Sequence, residues 1–91
     1  MKVIWKKKVD RQLTKIPDYI QKKFMAWALA VEKEGIQVVK KSPGFHDEPL
    51  KGQRSEQRSI RLSRAYRAIY IETREGRIEL IEVIEVSKHE Y

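Results

Sequence analysis

Two arginines set the chemistry to be explained. Arg61 and Arg67 flank Ser63-Arg64-Ala65, with alternating segments around Ile60 and Leu62 on one side and Ile69 and Ile71 on the other. Alternation of this kind predicts two β-strands, Gln57 to Ser63 and Tyr66 to Thr73, joined as an antiparallel hairpin. A turn centred on Arg64 places Arg61 directly opposite Arg67 on one face of the sheet. Like charges opposed across strands destabilise a sheet, so the pair calls for an anion. Glu82, Glu85 and a C-terminal carboxylate are the internal alternatives. Phosphate is the external one, and a guanidinium binds it through two parallel hydrogen bonds. The neighbouring sequence repeats the theme: from Lys51 to Arg67, the basic residues Lys51, Arg54, Arg58, Arg61, Arg64 and Arg67 stand against Glu56 alone.

The whole chain follows this bias. Its 91 residues carry 20 Lys or Arg and 13 Asp or Glu, a formal net charge of +7. The first fifteen residues are also basic, whereas the stretch from Glu72 onward is rich in glutamate. A basic domain of this size favours a polyanionic partner. One domain spanning 1–91 is expected, with a single modest core. The absence of cysteine excludes disulfide scaffolds, thiolate zinc fingers and Fe–S clusters. With His46 and His89 the only histidines, a histidine-rich metal site is not expected. No run approaches the roughly 18 apolar residues of a membrane span, and Met1 to Lys6 lacks the apolar stretch of a signal peptide.

The elements that must hold the arginines can be read from periodicity. Val3-Ile4-Trp5 predicts a short opening strand. Val9, Leu13 and Ile16 predict an amphipathic helix from about Lys8, ended by Pro17. Asp18 is placed to cap a second helix. There Ile20, Phe24, Trp27, Ala28 and Val31 form an apolar stripe, and Gly35 stops it. Trp27 and Phe24 are assigned to the core. Ile36 to Lys41 allows one further helical turn before Ser42-Pro43-Gly44 forces a loop. After Glu75-Gly76, Arg77 to Val86 has apolar residues on both parities and predicts a central or bulged strand. The expectation is an α+β fold of order β-α-α-β-β-β, two N-terminal helices packed on a twisted, mostly antiparallel four-stranded sheet.

In this order and spacing, Glu48-Pro49-Leu50-Lys51-Gly52, Ser59-Ile60-Arg61-Leu62-Ser63, Tyr66-Arg67-Ala68-Ile69-Tyr70 and Lys88-His89-Glu90-Tyr91 resemble the RelE/ParE superfamily of toxins from bacterial type II toxin–antitoxin modules. The middle of the chain is also similar to HigB-type toxins. The resemblance implies the same two-helix-on-sheet fold and, in the RelE-like branch, a cytoplasmic endoribonuclease that cuts mRNA in the ribosomal A site. The ParE branch instead inhibits DNA gyrase without nuclease activity, and a degenerate member would retain only antitoxin or operator binding. A histidine and a tyrosine at the C-terminus favour the nuclease branch.

The resemblance also implies roles. Metal-free RNA cleavage needs the ribose 2′-hydroxyl deprotonated, the phosphorane charge stabilised and a proton given to the leaving 5′-oxygen. Arg67 matches the arginine expected on the scissile phosphate, and Arg61 a basic strand residue that steadies the transition state or activates the attacking oxygen. His89 falls where relatives carry a general acid. Tyr91 matches a tyrosine that stacks on a base, and Glu48 matches a candidate general base of YoeB-like members. His46 lies in the same loop, near where some relatives use a histidine. Lys51, Arg54, Arg58, Arg64 and Lys88 are read as RNA contacts. Ser59 stands where RelE carries a second basic residue, with Arg58 on the other face, so the set resembles YoeB or HigB more than RelE. No cofactor or metal is implied. The implied partners are ribosome, mRNA and a cognate antitoxin, the toxin being monomeric when free and part of a higher-order complex when bound.

Overall fold

The computed structural model describes residues 1–88. Strand β1 (Lys2–Trp5) leads into helices α1 (Lys7–Leu13), α2 (Asp18–Glu34) and α3 (Ile36–Val39). Strands β2 (Glu48–Pro49), β3 (Arg58–Arg61), β4 (Tyr66–Glu75) and β5 (Ile78–Lys88) follow. The apolar stripe of α2 is buried as its spacing requires: Ile20, Phe24, Trp27 and Val31 are inaccessible and Ala28 nearly so. An aromatic file crosses the core, Trp5 edge-on to Phe24 at 5.3 Å, Phe24 to Trp27 at 6.0 Å and Trp27 to Tyr70 at 5.4 Å between centroids.

Asp18 does not cap α2. Pro17 occupies the capping position at φ −58°, ψ 149°, and its carbonyl accepts from the amides of Ile20 and Gln21. Asp18 is the first helical residue, where its charge complements the positive end of the helix dipole. Gly35 does end α2. It adopts φ 87°, ψ 153°, and its N–H reaches the Val31 carbonyl at 2.8 Å. A Cβ at Gly35 would meet nothing within 4 Å, so a substitution acts through backbone strain alone. Gly35→Ala is expected to cost about 1–3 kcal/mol, read as a lowered urea midpoint with an unchanged m-value.

The sheet departs from the expected one. Among the described residues it has five strands in the order β1-β5-β4-β3-β2 and is mixed, because β1 runs parallel to β5. The fifth strand is the two-residue β2, which pairs Glu48 with Ser59 and Pro49 with Arg58. A two-residue strand containing proline leaves no alternation to read and lacks one ladder donor. The α-helices among the described residues number three, the extra turn after Gly35 being α3.

Strand β5 is central, lying between β1 and β4. Its register slips by one: Ile69 pairs with Glu85 but Tyr70 with Val83, which leaves Ile84 as the inserted residue. The slip explains why apolar residues occupy both parities. Ile81 and Val83 before it, and Val86 after it, all join the core packed against the helices. It also brings Glu82 and Glu85, three apart, onto the same outer face. The side-chain oxygen Oε1 of Gln12 on α1 accepts from the Val86 amide at 2.8 Å, tying the helix layer to the sheet beside the bulge. No helix among the described residues is long and apolar enough to cross a membrane.

Candidate active site

The β3–β4 hairpin has the register expected from its sequence. Arg61 lies opposite Arg67, with Ile60 opposite Ala68 and Ser59 opposite Ile69. The turn is held by Ser63: its hydroxyl accepts from the amides of Ala65 at 3.1 Å and Tyr66 at 3.2 Å, and the Tyr66 carbonyl accepts from Leu62 and Ser63. Ile60, Ala68 and Tyr70 point into the core. By the alternation of strands, Ser59, Arg61, Arg67 and Ile69 share the face away from the helices, and Glu48, opposite Ser59, joins them.

On that face a narrow cleft, with about 50 Å³ of room for solvent, is bordered by Arg61, Arg67 and Arg64, by His46 and Glu48, and by Ser59, Ser63 and Tyr66. Such a space holds little more than a water molecule or two, so a ligand must lie across the opening rather than be enclosed. Neither Arg61 nor Arg67 makes an ion pair or side-chain hydrogen bond among the described residues. Arg67 Nε is buried and has no hydrogen-bond partner among the described residues. A buried unpaired donor costs stability, and an anion seated against it would remove that cost. Of the internal alternatives, Glu85 turns instead to Arg54, at 3.9 Å, and accepts from the Ser87 hydroxyl at 2.8 Å.

The other sequence candidates are placed as follows. Glu48 and Arg64 border the cleft. Lys51 is exposed just after β2, and Lys88 is exposed at the end of β5, paired with Tyr66. Arg54 donates to Gln57 at 2.8 Å besides approaching Glu85. Arg58 lies on the core face opposite Tyr70, and its Nε donates to Asp47 Oδ1 at 2.6 Å. His89 and Tyr91 lie outside the described residues. No group of three His, Asp or Glu side chains among the described residues is arranged to hold a metal ion.

Sequence reasoning missed Asp47. Its side chain is 1% exposed, and while Oδ1 holds Arg58, Oδ2 accepts from the Tyr70 hydroxyl at 2.6 Å. Burial works against the Arg58 charge, but the hydrogen bond and negative charge of Asp47 outweigh it and raise its pKa. Burial, then the hydrogen bond and charge of Asp47, push the Tyr70 phenol well above its ordinary value, with Arg58 opposing. Tyr70 is therefore a permanent donor at neutral pH. A folded-state pKa above the unfolded value near 10 stabilises the fold fully below about pH 10 and loses that contribution as the pH rises further. Urea titrations between about pH 8 and 11 should show wild type losing more stability above pH 10 than Tyr70→Phe does. Parallel curves would remove this linkage.

No family model matches the sequence, and no curated protein matches it. Solved structures do. A YoeB/ParE toxin from Agrobacterium tumefaciens superposes with a TM-score of 0.76 at 19% identity, covering 99% of this chain and 100% of that one. The archaeal RelE–RelB complex from Pyrococcus horikoshii contains a chain matching with a TM-score of 0.69 at 20% identity, over 96% of this chain and 92% of its own. The DinJ–YafQ complex of E. coli gives 0.71 at 12% identity, over 96% and 91%. The protein thus has the fold of the RelE/ParE superfamily toxins. At these identities the likeness carries the fold, and the site stands on its own geometry.

Proposed function

We propose that the protein is the toxin of a type II toxin–antitoxin module and that it cleaves mRNA in the ribosomal A site without a metal. The observation that carries this reading is the Arg61–Arg67 pair: two cations opposed on one strand pair, neither in an ion pair among the described residues, with the Arg67 Nε donor buried and unsatisfied among them on a cleft that Glu48 also borders. A scissile phosphate seated across the two guanidiniums meets this charge and becomes more strongly held as it gains negative charge in the phosphorane. Glu48, on the rim, takes the 2′-hydroxyl proton. The 2′-oxygen attacks phosphorus, the bond to the 5′-oxygen breaks, and His89 supplies the leaving group's proton, its ordinary pKa of about 6.5 suiting that exchange. Tyr91 stacks on a neighbouring base, and Lys51, Arg54, Arg64 and Lys88 meet RNA phosphates, while Arg58 contributes from its bond to Asp47 as a fixed positive charge.

The structures of related fold that contain an antitoxin, RelE–RelB and DinJ–YafQ, support a cognate antitoxin here. An acidic or amphipathic segment that folds on binding suits the basic face. The free toxin is then monomeric, and the complex of higher order. The test is in vitro translation with primer extension on the message. New 5′ ends within codons at the A site are expected. Uncut message in inhibited ribosomes, or intact translation with blocked gyrase supercoiling, would overturn the nuclease reading, the latter in favour of a ParE-like toxin.

A further inference from the structure

We infer that Asp47 is a positioning residue: through Arg58 and Tyr70 it sets the distance between the Glu48 rim of the cleft and the Arg61–Arg67 pair. The activity readout of this inference rests on the nuclease reading; its structural readout does not. The backbone does little to hold the rim. Strand β2 is two residues long, its second residue is Pro49, and it is the edge of the sheet. Before it, the chain passes through the 3₁₀ turn Pro43–Phe45 and then His46, whose φ of 46° and ψ of 50° are left-handed. His46 is the only described residue other than glycine with positive φ, and such a conformation persists where surrounding contacts enforce it.

Asp47 supplies that enforcement. In an extended segment, neighbours point to opposite sides, so burying the Asp47 carboxylate turns Glu48 outward to the cleft, which His46 also borders from its left-handed turn. Both carboxylate oxygens are used, one on each strand of the hairpin: Oδ1 on Arg58 of β3 and Oδ2 on Tyr70 of β4, each at 2.6 Å. Arg58 and Tyr70 face one another in the same ladder that carries Arg61 and Arg67, three residues along each strand. Tyr70 is itself wedged against Trp27. The rim is thus referenced to the two strands that hold the guanidiniums, not to the solvent-exposed loop around it. Well-packed apolar residues of similar volume replace buried ion pairs with little loss of stability, or with a gain. What an apolar replacement does not reproduce is the directional, two-point registration.

The double substitution Asp47→Leu with Arg58→Met separates these effects. It removes both charges together, so no buried charge is left unpaired. With only the Tyr70 hydroxyl left without its acceptor, it is expected to melt closer to wild type than Asp47→Ala does, and to cleave message at saturating ribosomes at least about 30-fold more slowly in single turnover, on the scale that a misplacement of about 1 Å produces. Amide hydrogen exchange at residues 46 to 48 should accelerate in the same variant while residues 66 to 71 keep their protection. Cleavage at the wild-type rate, or unchanged exchange at 46 to 48, would overturn the inference. If the variant melts far below wild type, Tyr70→Phe, which keeps the ion pair, becomes the deciding protein. Its cleavage must then fall with KM unchanged, and equal loss in kcat and Tm-matched affinity would overturn the assignment. A wild-type protein that leaves message uncut defeats the nuclease reading alone, and the exchange measurement still decides the role of Asp47.

Discussion

Arg67→Ala is expected to lower mRNA cleavage by about 10²–10³-fold, the loss that follows removal of one preorganised donor to a developing oxyanion, and to leave the protein folded. The two halves of this expectation come from the same geometry. Arg67 stands across from Arg61 and makes no ion pair among the described residues, so its removal relieves a like-charge contact of a few tenths to about 1 kcal/mol. It also eliminates a buried donor with no partner among the described residues. Against this stand the contacts of its aliphatic stem. The melting temperature should remain within a few degrees of wild type while growth inhibition disappears. A variant that is folded and fully toxic would show that the paired guanidiniums serve no anion, and a variant that unfolds would show that Arg67 is a structural residue.

Asp47→Ala is expected to act in the opposite sense, on stability first. It leaves Arg58 without its counter-charge and Tyr70 without an acceptor. Breaking a buried ion pair from one side costs about 3–5 kcal/mol. The Arg58 side chain is 23% exposed and regains some hydration, which favours the lower end. For a domain of this size, about 3 kcal/mol corresponds to a fall in Tm of roughly 12 °C or more, a large part of the 5–15 kcal/mol that a domain possesses. Calorimetry checks it directly. A Tm within about 3 °C of wild type would mean that water replaces the carboxylate without penalty.

The contrast between these two sites shows what could be read in the chain and what could not. The arginine pair was legible because each step is local: alternation defines two strands, and Ser63-Arg64-Ala65 is short enough to set their register. The helix stripe from Ile20 to Val31 was legible for the same reason. Asp47 was not. In His46-Asp47-Glu48-Pro49 it reads as an exposed loop acid, and nothing local says that Arg58 and Tyr70 come from two other strands to meet it. Alternation already sets Arg58 on the face opposite Arg61, but not the carboxylate that meets it there. The parallel pairing of β1 was likewise beyond local pattern, since Val3-Ile4-Trp5 announces a strand but not its partner. The alternate parities of β5 did announce an irregularity, and the bulge at Ile84 is where the structure resolves it.

That central strand has a consequence for how the protein comes into being. β5 joins β1, made at the start of the chain, to the β4-β3-β2 half of the sheet, and Lys2 must wait for Leu80 as its neighbour. Pairings this distant in sequence form slowly, after the cost of closing the intervening chain has been met. A nascent chain that already contains Arg61 and Arg67 still lacks the strand that unites its sheet. The arginine cleft therefore acquires a rigid frame only once β5 has paired with both β4 and β1, long after Arg61 and Arg67 have been joined to the chain.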